Sequence, residues 1–197
     1  MPTYDYTQAG AYFVTMCTED RVCVLHDPPV ADIILDVWES LPARFPTIAL
    51  GEFVVMPNHV HMIVWLQAHP DAIICQDVPA SLIEQKGRDW AVPAPLKINL
   101  KPALGDVIAA LKSLVFTVYL RWIDAHKVDR QAKFWQRNYF EHVVRDEREL
   151  RAIRQYIVDN PEQWDMDRDN PNGHSGLPVP CHISHYLSDL KYTMERQ

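Results

Sequence analysis

Apolar positions change period along this chain, and each change of period marks an expected element. Residues 11–18 (Ala-Tyr-Phe-Val-Thr-Met-Cys-Thr) form a near-continuous apolar run with β-branched and aromatic members, which predicts a first strand. After Pro28-Pro29 the spacing becomes helical over Val30–Arg44, with Ile33, Ile34, Val37, Trp38 and Leu41 as the inner stripe. A second strand is expected over Ile48–Val55. Met56-Pro-Asn58 is turn chemistry, so this strand and the next, beginning at His59, should form an antiparallel hairpin. Residues 67–100 contain Pro70, Pro79, Pro93 and Pro95 and sustain no period, so they read as an inserted loop. Helical spacing returns over 104–125, with Val107, Leu111, Leu114, Val118 and Trp122 facing inward. A strand is expected over 134–144. Asp146 followed three residues later by Glu149 has the pattern of a capping box, and Leu150, Ile153 and Ile157 form the stripe of a last helix. Pro161 disfavours helical geometry at Asn160 and should end it there. The order β-α-β-β-α-β-α predicts an α+β sandwich, a sheet with helices chiefly on one face.

A length of 197 residues suits one well-buried domain with decoration, here residues 1–165 followed by a C-terminal extension, 166–197. The stretch from Asp165 to Gly176 reads as polar loop, and residues 186–194 as a short helix. A formal charge of −7 argues against an indiscriminate nucleic-acid binder. The charge is uneven, however: residues 112–154 hold ten lysines and arginines against six acids, leaving −11 for the rest. That local surplus of basic residues fits phosphate contacts, and it equally fits ordinary mixed-charge helix faces. Cysteines 17, 23, 75 and 181 show no Cys-x-x-Cys spacing, so reduced thiols are expected rather than a zinc site or a disulfide framework. There is no secretory pattern at the start and no apolar run of the ~20 residues that span a bilayer. The expectation is a soluble, cytoplasmic protein.

Candidate chemistry concentrates in His59-Val60-His61. Alternate strand residues share a face, so the two imidazoles would lie side by side, roughly 6.5–7 Å apart along the strand, with Val60 turned to a core. Such a pair can hold two positions around a divalent cation, or simply occupy the solvent face of a half-buried strand. Tyr156 and Asn160, four apart, share one face at the edge of the last helix's apolar stripe. They could meet the histidine strand, or Tyr156 could be a core-edge ring with its hydroxyl in water.

Taken together, these segments resemble the single-tyrosine HUH transposases of small insertion sequences, most closely the REP-associated tyrosine transposases. The resemblance rests on Met56-Pro-Asn-His-Val-His61, Tyr12-Phe-Val-Thr15, the run from Phe134-Trp-Gln-Arg-Asn-Tyr-Phe to Arg145, and Arg154-Gln-Tyr-Ile-Val-Asp-Asn-Pro161. It covers about residues 10–165 apart from the loop at 67–100. It implies a ferredoxin-like (RRM-like) antiparallel sheet and a metal-dependent endonuclease and strand transferase for single-stranded DNA. Its substrate would be hairpin-forming repeats, cut through a 5′-phosphotyrosine intermediate. Carried over by position, Tyr156 is the nucleophile, with Tyr139 as the rival; His59, His61 and Asn160 are metal ligands for Mg²⁺ or Mn²⁺. Arg137, Arg145, Arg148 and Arg154 are the side chains assigned to DNA, and His142 reads as a structural histidine. A homodimer is implied, with the tyrosine helix acting in its own chain or on the partner. The competing expectation is a domesticated module that binds DNA or RNA hairpins without transposing them. An unrelated metal-dependent hydrolase has little behind it, since no carboxylate-rich cluster accompanies the histidines.

Overall fold

The computed structural model describes residues 4–68, 88–130, 132–167 and 169–173. Its elements follow the expected order. They are β1 (Gly10–Cys17), α1 (Val30–Arg44), β2 (Ile48–Val55), β3 (His59–Leu66), α2 (Leu104–His126), β4 (Phe140–Val144) and α3 (Glu147–Asp159), with 3-10 turns at Glu19–Arg21 and Asn160–Met166. The strands form one antiparallel sheet in the order β2-β3-β1-β4, so each pair joined through a helix is separated by one intervening strand. This is the α+β, ferredoxin-like arrangement expected from the sequence. Central β3 is buried at nearly every position, whereas the edge strands β2 and β4 are mostly half-buried.

The described chain forms two compact units. One comprises residues 4–10, 27–50, 64–68, 88–130 and 132–135. Its core is α1 packed on α2: Ile33, Ile34, Val37 and Leu41 on the first, Val107, Leu111, Val115, Val118 and Tyr119 on the second. On α2 the buried stripe includes Val115, Tyr119 and Ile123, while Leu114 and Trp122, expected inside, are only half-buried. Over six turns a 3.6-residue period drifts away from a stripe counted by threes and fours, which accounts for the rotated face. Trp122 instead stacks on His126, one turn later, at 4.4 Å.

The other unit comprises residues 11–26, 51–63, 136–167 and 169–173 and contains every residue of the candidate site. Here the β2–β3 hairpin closes with the Met56 amide donating to the His59 carbonyl at 2.8 Å. Gly51 lets the two strands approach: a Cβ there would lie 2.8 Å from Ile63 Cβ. Gly51→Val is therefore expected to lower stability by about 1–3 kcal/mol, measured by urea denaturation. Antiparallel pairing of β1 with β4 sets Phe13 opposite His142 and Thr15 opposite Phe140. β4 is shorter than the expected 134–144, beginning only at Phe140.

The last helix starts as its sequence requires. The Asp146 carboxylate accepts the Glu149 amide at 2.8 Å. Glu149 bonds back to the Arg145 amide at 2.6 Å, one residue earlier than the usual reciprocal partner. Its other oxygen meets His142 Nε2 at 2.8 Å, tying the start of α3 to β4 and bearing out a structural role for that histidine. Asp146→Ala should cost ~1 kcal/mol, read as a drop in melting temperature. The α-helix ends at Asp159, as expected, but its C-cap Asn160 keeps helical angles (φ −57°, ψ −42°) where Pro161 was expected to disfavour them. Pro161 sits instead in the first turn of a 3-10 segment running on to Met166, where its missing N–H leaves no helical bond unmade.

Candidate active site

The site is built on one face of the sheet. His59 and His61 share that face of β3, their ring centroids 4.6 Å apart. Neither points to solvent: their exposures are 0% and 4%. Phe13 on β1 is the platform beneath them, stacked on His61 at 5.4 Å and meeting the Tyr156 ring edge-on at 6.0 Å. Tyr156 descends from α3 beside Ile153 and Ile157, and its hydroxyl reaches to 3.3 Å from His61 Nε2. The phenol is 4% exposed, so the expectation of a hydroxyl held in water does not hold. Asn160, one turn on, is buried too (3%).

Hydrogen bonds fix both imidazoles. The Asn58 amide nitrogen donates to the carbonyls of Arg21 (3.1 Å) and Asp169 (2.6 Å), so Asn58 Oδ1 is left to accept from His59 Nδ1 at 2.8 Å. That assigns the proton of neutral His59 to Nδ1 and leaves a bare lone pair on Nε2. His61 Nδ1 and Thr15 Oγ1 share a 2.8 Å bond, leaving Nε2 toward Tyr156. Burial pushes His59 down to about 4, outweighing the Asp169 carboxylate that favours its charged form, while Arg21 reinforces the fall. His59 is consequently neutral at pH 7, as a ligand must be.

Two buried polar atoms here have no hydrogen-bond partner, His59 Nε2 and Asn160 Oδ1. Asn160 lies close enough to His59 to favour its protonated form, yet short of hydrogen-bond geometry. Both orphaned atoms are acceptors, and acceptors gathered in a dry site are satisfied by a cation. The donor set of two imidazoles and an amide oxygen thus fits a divalent metal. Among the described residues there is no group of three or more His, Cys, Asp or Glu placed to hold one.

Other candidates lie differently. Tyr139 precedes β4, half-buried, and burial followed by Glu141 raises its phenol above the usual value, away from easy ionisation. Arg137, Arg145 and Arg148 are exposed, whereas Arg154 Nε pairs with Glu52 at 2.7 Å. Sequence reasoning passed over Phe13 and Thr15, visible only once the register of β1 is known, and Asn58, which read as a turn residue. It also read Asp167 and Asp169 as polar loop. Asp167 is buried, its Oδ2 4.0 Å from His59 Nε2, and Asp169 pairs with Arg21 at 2.7 Å. Trp164 completes the wall, its ring centroid 6.0 Å from that of His59.

No family model matches the chain. An uncharacterized protein of Haemophilus influenzae is 29% identical over 181 residues, covering 84% of this chain and 87% of its own length. Among solved structures, a REP-associated tyrosine transposase bound to a REP hairpin aligns with 83% of this chain and 74% of its own at 17% identity. Its TM-score of 0.50 shows a shared fold. A Deinococcus radiodurans protein described as a candidate transposase aligns more loosely, at 20% identity over 81% of this chain and 96% of its own, with a TM-score of 0.44. No helix among the described residues is long and apolar enough to cross a membrane.

Proposed function

We propose that this chain is a single-tyrosine HUH transposase of the REP-associated kind, cutting and rejoining single-stranded DNA at hairpin-forming repeats. The observation that carries the reading is the Tyr156 hydroxyl 3.3 Å from His61 Nε2, beside orphaned acceptors on His59 and Asn160. A nucleophile, a pair of buried imidazoles and an amide oxygen converge in one place. A structural tyrosine does not require that company. The fold shared with a hairpin-bound transposase is consistent with the reading.

His59 Nε2, His61 Nε2 and Asn160 Oδ1 are the atoms that would hold a divalent cation, Mg²⁺ or Mn²⁺. Such an ion supplies Lewis-acid polarisation of the scissile phosphate and offsets charge gathering on its oxygens. The protein's own part is positioning. Phe13 packs against both the Tyr156 and His61 rings, and Thr15 and Asn58 orient the two imidazoles, so attack begins from a pre-set geometry. The phenol oxygen forms a bond to phosphorus and the bond from phosphorus to the 3′-oxygen breaks. The phenol loses its proton and the departing oxygen gains one, leaving a 5′-phosphotyrosine and a free 3′-hydroxyl. The reverse exchange rejoins the strand without ATP. Because the phenol is buried, entry of the DNA must displace part of its cover. Arg137, Arg145 and Arg148, exposed on the surface, are the side chains we assign to the flanking phosphates.

The test is to incubate the protein with Mn²⁺ and single-stranded DNA from the sequences flanking its own gene, then run a denaturing gel. A covalent adduct is expected. Hairpin binding with no adduct would favour the domesticated binding module instead. Tyr156 reaches His61 of the same chain, so the site is expected to act in cis even in a homodimer. Mixing a Tyr156→Phe chain with a His59→Ala/His61→Ala chain should restore no adduct; recovery would place the tyrosine in the partner's site.

A further inference from the structure

We propose that the Phe140 ring is a stacking subsite for one unpaired base of the DNA, that of a nucleotide flanking the scissile phosphate; this rests on the single-strand reading above and names where the base is received. Phe140 opens β4 and lies directly opposite Thr15 on β1, as His142 lies opposite Phe13. Residues directly opposite in an antiparallel pair project from the same face of the sheet. That face is the site's own: Phe13 stacks on His61 at 5.4 Å, and Thr15 Oγ1 shares a 2.8 Å bond with His61 Nδ1. Phe140 therefore belongs to the floor on which His61 and Tyr156 meet, its ring centroid 6.3 Å from that of Phe13.

Exposure along this floor is graded. Phe13 is 0% exposed and Tyr156 4%, Thr15 is half-buried, and Phe140 reaches 44%. The floor thus opens to solvent where β4 begins. α3 covers the strand further on, where His142 Nε2 meets Glu149 at 2.8 Å. Phe140, two residues earlier, lies roughly 6.5–7 Å back along the strand. A phenyl ring has no hydrogen-bonding group, so what it offers a ligand is a flat apolar face. Every base has a matching face, and in a duplex its neighbours cover it; only an unstacked nucleotide can present it to a protein. Exposed Arg137 and Arg145 bracket β4 in the chain, and Glu141 projects from the opposite face of the strand. An aromatic ring among cationic side chains is the make-up of a groove that follows a single strand. A base stacked on Phe140 would hold its nucleotide against the floor that carries Tyr156, and the subsite would select unpaired DNA over duplex without reading its sequence.

The experiment reads affinity rather than cutting. Fluorescence anisotropy follows binding of the full chain, in chelating buffer, to a labelled hairpin oligonucleotide with its single-stranded flank, taken from the DNA beside its own gene. A companion set of oligonucleotides carries one abasic position at a time through the flank. For the parent, one position should stand out, losing about 5–100-fold in affinity when its base is removed. Phe140→Leu, which keeps an apolar side chain beside Phe13, should weaken binding of the intact oligonucleotide by a similar factor and lose little more at that position. Phe140→Trp should bind at least as tightly as the parent. Equal affinity of Phe140→Leu and the parent for the intact oligonucleotide would overturn the proposal. So would the same abasic penalty in both proteins at every position, which would assign the ring to packing alone. The covalent-adduct assay in Mn²⁺ separates this subsite from the function it rests on. An adduct formed by the parent, with affinity indifferent to Phe140, removes the subsite and leaves the function. Phe140-dependent binding at one flank base with no adduct keeps the subsite, on a binding module. Absence of any single-strand binding removes both.

Discussion

Tyr156→Phe is expected to abolish the covalent protein–DNA adduct while leaving the fold and hairpin affinity nearly intact. The substitution removes one oxygen. The ring contacts to Phe13 and His61 remain, and the hydroxyl contact to His61, at 3.3 Å, is long. Loss of a weak hydrogen bond costs on the order of 0.5–1.5 kcal/mol, small beside the loss of the proposed nucleophile. Tyr139→Phe should keep the adduct, since its phenol is raised by burial and lies outside the Phe13–His61–Tyr156 ring cluster. Peptide mapping decides between them: an adduct recovered on the peptide containing Tyr139 would reverse the assignment.

The second large effect is expected at the histidines. His59→Ala and His61→Ala should each reduce cleavage by on the order of 10³-fold, because transition-state charge stabilisation is worth several kcal/mol and each 1.36 kcal/mol is tenfold. Hairpin affinity should change little, since it comes from phosphate and base contacts elsewhere. Chelating the metal should reproduce the loss in the unmodified protein and add nothing in the variants. Full nicking by the double variant in chelating buffer would remove this pair from the mechanism.

Much of the fold could be read from the sequence because its helices and strands bury single faces. The ends of α1 and β2 match the apolar pattern at both boundaries. β4 did not, for a physical reason. Phe134 is buried against Tyr119 at 5.7 Å outside any ladder, and Trp135, also buried, makes only an isolated bridge, so burial there leaves the same mark as a continuous strand. Pro161 marked the end of α3 to within a residue but not the end of helical geometry, since it opens the 3-10 turn that follows. At the site, His59, His61, Tyr156 and Asn160 were legible because spacings of two and four place them on common faces. Asp167 was not. It lies in Asp165-Met-Asp-Arg-Asp-Asn, where no period separates a buried carboxylate from solvated ones. Asn58 hid its role behind an adequate local explanation as the last residue of the hairpin turn.

The near-complete burial of Tyr156, His59, His61 and Asn160 bears on what happens after a strand is cut. A phosphotyrosine can be resolved by a DNA hydroxyl, which restores a strand, or by water, which leaves a permanent break. Water is by far the more abundant, so abundance alone would favour the break. On the proposed function, Phe13, His61 and α3 would screen such a linkage from bulk solvent once the cover displaced by DNA entry closes again. On the same proposal, a strand end held by its own hairpin would remain close enough to return. On this reading the enclosure works as a timer. It lengthens the life of the joined state until the right oxygen arrives, and so makes cutting safe for the genome that carries it.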